Sequence, residues 1–139
     1  MNTIHWNKIL CPVDFSDESR AGLEVAADIA KRLEAPLVLL HVAEAVDPGM
    51  VEGLATLREE AVARGAREIR TTVAEGSPKS AIARYADEHG FDLVVMGTHG
   101  WTGRALAFAG SVAESTVRSA RCPVMVVHGP RREAREHAA

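Results

Sequence analysis

Five short and nearly continuous apolar runs, KILCPV, PLVLLHV, EIRTTVA, FDLVVM and PVMVV, recur along this chain, each about one strand long and bounded by Pro, Gly or charged residues. Longer segments of helical period separate them. Strands joined through helices cannot be hairpin partners, so the connections are crossovers. The expected fold is α/β, with a mainly parallel sheet and right-handed links. PLVLLHV and LVVM are apolar on both alternating sides, as strands covered by helices on both faces must be. EIRTTVA is the most polar run and reads as an edge. Pro12 cannot donate to a ladder, so it suits a central first strand only where that strand is leaving the sheet. Pro36 and Pro123 stand at strand starts, where they are harmless.

The intervening segments read as four helices. Leu23, Ala26, Ala27, Ala30 and Leu33 recur at helical spacing over 17–33, with Ser16 or Asp17 able to accept the first free N–H groups. A second helix carries Val51, Leu54, Ala61 and Val62 and stops near Gly65, a suitable left-handed C-cap. The third starts at Ser77, as N-cap, with Pro78 in its first turn, and Gly90 ends it. The fourth starts near Gly110 and Ser111, with Val112, Ala113, Thr116, Val117 and Ala120 expected to face inward.

With 139 residues, the chain has room for one domain, 1–139, with a core over 6–128 and a charged, solvated tail over 129–139. The net charge is −3 and no basic stripe occurs, which argues against nucleic acid as a partner. The N-terminus lacks the features of a secretory signal and no apolar run approaches a membrane span, so no membrane partner is expected and a cytoplasmic location is. Cys11 and Cys122 lie in strand-like runs and read as buried thiols of a reducing compartment. The six histidines show no metal-ligand spacing.

In open parallel sheets, ligands settle at the C-terminal strand ends, where adjacent loops part. After the fourth strand comes GTHGWTGRALAFAGS, with Gly97, Gly100, Gly103 and Gly110 ahead of the helix that Ser111 opens. Glycine admits close backbone approach, and the first N–H groups of a helix have no internal partner, so together they suit a phosphate. His99 and Arg104 could add charge; the same glycines could equally serve a loop that merely turns the chain. Asp14, at the end of the first strand, can accept hydrogen bonds from ribose hydroxyls or the adenine amine, and can also act as a turn or cap residue. Neither GxxxxGK[ST] nor a GxGxxG after the first strand occurs, and no adjacent base and nucleophile appear.

Gly97, two residues, Gly100, nine residues, then Gly110 and Ser111 resembles the ATP-binding signature of the universal stress proteins. KILCPVDFSDES, DLVVMGTHG and GSVAESTVRSARCPVMVV are also similar to blocks of that family. The resemblance implies a single-domain, Rossmann-like open sheet of five parallel strands in the order 3-2-1-4-5, of the adenine nucleotide alpha hydrolase type. It places ATP, or ADP or AMP, with Mg only as the companion of a triphosphate, between the first and fourth strands. Asp14 with Pro12 would face the adenine and ribose, Val42 would line the base pocket, and Val13 would also belong to the nucleotide site. Gly97, Gly100, Gly110, Ser111 and Val112 would wrap ribose and phosphates, and Met96 and Thr98 would belong to the same nucleotide-binding set. Homodimerisation through Pro123–Val127 is likewise implied. The expected function is a nucleotide-dependent binding or signalling module of the stress response. A slow ATPase, or an enzyme that modifies itself on Ser111, is an alternative, as is a dimeric scaffold without nucleotide. Trp101 departs from the polar or basic residue of many relatives and could pack against Leu106 or Phe108.

Overall fold

All five apolar runs pair in a computed structural model, which describes residues 6–98 and 111–129. The strands are β1 (Ile9–Pro12), β2 (Leu37–Ala43), β3 (Ile69–Glu75), β4 (Leu93–Gly97) and β5 (Val124–Val127). The helices are α1 (Asp17–Leu33), α2 (Pro48–Ala63), α3 (Pro78–Glu88) and α4 (Ser111–Ser119). The sheet is parallel throughout, in the order β3-β2-β1-β4-β5. The polar run is an edge strand, as its composition requires.

Two cores form, one on each face. Alternation along β1 sends Ile9, Cys11 and Val13 to the side of α1 and α2, where they meet Leu23, Ala27, Leu54 and Leu57. Leu10, Leu40, Val94 and Met96 take the other side, against Ile82 and Ala86 of α3 and Ala113 of α4. The helix ends follow from local chemistry. Ser16 caps α1 by accepting the Ser19 N–H at 3.1 Å, and Gly65, at φ +103, turns the chain after α2.

α2 starts at Pro48, because Asp47 accepts the Met50 N–H and Pro48 fits the first turn. Three details differ from the expectations. Ser77 occupies the N-cap of α3, but its side chain makes no capping bond, and its carbonyl takes the Ser80 and Ala81 N–H groups. Val117 is 50% exposed rather than inward, since α4 buries Ala113 and Thr116 and turns position 117 outward. Cys122 is only partly buried, because it lies before β5 at the sheet edge. The expected charged tail falls outside the described residues apart from its first, Gly129.

Candidate functional site: the crevice where the first strand leaves the sheet

The chain builds outward from β1 in both directions, so β1 is where the strand order reverses. On one side of it Pro12 ends the pairing. Val13 N–H donates to Leu40 C=O at 2.8 Å, so odd positions of β1 point their polar groups to β2 and even positions to β4. The β1–β4 ladder runs through Ile9–Leu93 and Leu10–Val94 and stops. The next donor on that side would be residue 12, which as proline has none.

On the other side the ladder ends at the Pro12–Leu40 pair and the Val13 N–H bond that follows it. Continued by one step, it would bring Val42 N–H to Val13 C=O. Instead Val13 C=O lies 2.8 Å from Nδ1 of the buried His41. A carbonyl only accepts, so Nδ1 carries the proton and donates. Phe15 packs against that imidazole with 4.6 Å between ring centres and the ring planes tilted by 45°. Its φ of +69 is a left-handed conformation that an aromatic residue seldom adopts. Gly53 of α2 leaves room for the ring, since a β-carbon there would stand 2.8 Å from Phe15 Cε1.

Between the parted strands lies a pocket of about 260 Å³. Of the site residues expected from the sequence, Pro12, Val13, Asp14, Val42, Met96, Gly97 and Val112 line it. Thr98 and Ser111 do not; Thr98 is buried at 7% exposure, and its Oγ1 has no hydrogen-bond partner among the described residues. Gly100 and Gly110 lie outside the described residues, as do His99, Trp101 and Arg104. Leu40, Pro78 and Ile82, together with Ser16 and Ser19, also form the wall and were not expected there. The signal for Pro78 was available, because in a parallel sheet the helix after each strand starts on the same rim as the crevice.

The walls are mainly apolar. Among the described lining residues the one charged group is Asp14, and none is basic. Its Oδ1 accepts from the backbone N–H of Ser16 at 3.0 Å and from the Ser16 hydroxyl, while Asp14 N–H donates to Ser19 Oγ at 3.0 Å. The turn role open to Asp14 is thus filled, and the same bonds hold the residue at the pocket wall. The alternation that sends Leu40 C=O to β1 and Ala43 C=O to Gly76 N–H of the β3 side turns both polar groups of Val42 toward the side β1 has left.

Gly97 meets a different demand from the conformational one. A β-carbon there would stand 2.0 Å from the Glu18 carbonyl oxygen, and one on Gly22 would stand 2.6 Å from Gly97 N. Two missing side chains let the first turns of α1 rest directly on β4, which brings Ser16 and Ser19 to the pocket.

Cys11, on the opposite face of β1, is fully buried, and burial pushes its thiol up from 9.0 to about 12. Between these values the unfolded chain has lost a proton that the folded chain keeps, so stability falls as pH rises through the window. Urea midpoints measured from pH 8 to 10.5 should therefore fall more steeply for the native protein than for Cys11→Val, by on the order of 1 kcal/mol per pH unit. Parallel slopes would show that the thiol ionises freely in the folded chain.

An open parallel sheet in this order, covered by helices on both faces and with a crevice at its reversal, defines the doubly wound α/β class. Residues 5–128 match the model of the universal stress protein family. The chain is 35% identical to the universal stress protein MJ0531 of Methanocaldococcus jannaschii, over 92% of this chain and 85% of that protein. It is 33% identical to the universal stress protein YxiE of Bacillus subtilis, over 88% of this chain and 99% of the other. A solved universal stress protein in complex with cAMP superposes with a TM-score of 0.78 at 28% identity, covering 90% of this chain and 98% of that one. The chain belongs to the universal stress protein family.

Proposed function

We propose that this protein binds an adenine nucleotide, ATP foremost, in the crevice between β1 and β4, and acts as a nucleotide-dependent binding module of the stress response. The observation that carries this reading is the Val42 backbone, which turns one donor and one acceptor toward an otherwise apolar slot. Adenine presents the complement, an acceptor at N1 beside a donor at N6. Leu40, Ile82 and Met96 supply the apolar surface that a flat base needs. Asp14 suits the ribose hydroxyls. The start of α4 at Ser111 and Val112, with the orphaned Thr98 hydroxyl beside Gly97, suits the sugar and phosphate end. Gly100 and Gly110 belong to the same proposal, and Mg would come only with the triphosphate. The related protein solved with cAMP, another adenine nucleotide, supports the class of ligand. β5 lies at the sheet edge with four partly exposed residues, Val124 to Val127, which supports a homodimer formed through Pro123–Val127.

Calorimetric titration with ATP should show one site per chain. Ile82→Trp, which fills the slot with an indole, should abolish the heat while keeping the fold. Thr98→Val should weaken binding and raise the stability of the ligand-free protein, because a buried hydroxyl without a partner costs about 1–3 kcal/mol. Absence of heat and of any thermal shift at millimolar ATP would overturn the reading.

A further inference from the structure

We infer that His41 is a positioning residue that keeps the Val42 amide available to the ligand by occupying the carbonyl that would otherwise capture it. The ladder between β1 and β2 has a natural next bond, Val42 N–H to Val13 C=O, since Val13 follows Pro12 and Val42 stands two residues beyond its partner Leu40. What the carbonyl meets is the imidazole Nδ1 at 2.8 Å. A carbonyl has two lone pairs, yet among the described bonds Val13 C=O takes the imidazole and not the Val42 N–H, so the side chain of one β2 residue stands in for the backbone of the next. The imidazole is held for this task. Its exposure is 9%, and Phe15 lies across it in a left-handed conformation that this packing must sustain. Gly53 of α2 gives the Phe15 ring its place. Pro12 thus releases β1 from β4, and His41 releases it from β2.

The inference deepens the adenine reading of the crevice and rests on it for its ligand arm, while its first arm needs no ligand. In the ligand-free protein, the Val42 amide should exchange with solvent deuterium much faster than its strand neighbours Leu39 and Leu40. In His41→Leu, which offers the carbonyl no donor, Val42 exchange should slow by about tenfold or more as the ladder bond forms. His41→Asn, whose amide nitrogen can take the place of Nδ1, should restore fast exchange. Equal Val42 protection in the native protein and His41→Leu overturns the inference, whether or not nucleotide binds.

In the second arm, His41→Leu should bind ATP about tenfold more weakly than the native protein. Its preference for ATP over ITP should shrink as well, a change that simple loss of stability does not produce. His41→Asn should keep both within about threefold. Unaltered ATP preference in His41→Leu overturns the inference. A native protein that fails to bind ATP at all instead overturns the adenine reading and leaves the exchange result to decide the role of His41.

Discussion

Gly97→Ala should cost the fold about 3 kcal/mol or more and lower the melting temperature by on the order of 10 °C. The added methyl would have to stand 2.0 Å from the Glu18 carbonyl oxygen, and the atom in its way is helix backbone. Neither α1 nor β4 can yield alone, because Gly22 closes the same crossing from the other side with 2.6 Å to Gly97 N. Relief requires α1 to lift from the sheet, which would move Ser16 and Ser19 from the pocket wall. Gly90→Ala is the matched control. There φ is +68 and a β-carbon meets nothing within 4 Å, so the cost should be limited to backbone strain of about 1 kcal/mol. Urea unfolding of both variants makes the comparison, and equal stability losses would show that close contact of α1 with β4 is not what requires glycine at 97.

ITP should bind at least about a hundredfold more weakly than ATP, a discrimination expected of sites that hydrogen-bond their ligand in an apolar slot. Hypoxanthine differs from adenine only along one edge: N1 carries a proton and the 6-position carries a carbonyl. Facing Val42, donor would oppose donor and acceptor would oppose acceptor, and both backbone groups would be left unpaired and shielded from water. GTP shares that inverted edge and should be rejected with it. Competition against ATP, followed by calorimetry, measures the ratio directly. Comparable affinity for ATP and ITP would remove Val42 from base recognition and leave an apolar slot that accepts any purine.

Much of this architecture was legible in the residues. The strand runs, the parallel pairing, the polar edge at EIRTTVA and the caps at Ser16 and Gly65 follow from period, composition and backbone preference, which act over a few residues. Pro12 was also interpretable, since a residue without an N–H belongs where a ladder ends. The outward turn of Val117 was not legible from an apolar residue near helical spacing, because which stripe of a short helix is covered depends on the element across from it.

The crevice divides along the same line. Gly97 and the strand-end Asp14, which line it, announced themselves by type and position. His41 did not, being a lone histidine in an apolar strand, and its significance comes from register: Val13 C=O lies beside it only once β1 and β2 are paired. Pro78 and Ile82 joined the wall because α3 packs over the strand ends, and Gly97 had to be glycine because α1 crosses β4 there.

By itself the sequence determined the elements, the parallel class of the sheet and the membership of the chain in its family, since short-range pattern suffices for these. Only the tertiary structure decided which backbone groups were left over for a ligand. A hydrogen-bonding group becomes available when its ladder partner is absent or engaged elsewhere, and that depends on residues distant in the chain, as Val13 and His41 are, meeting in one register.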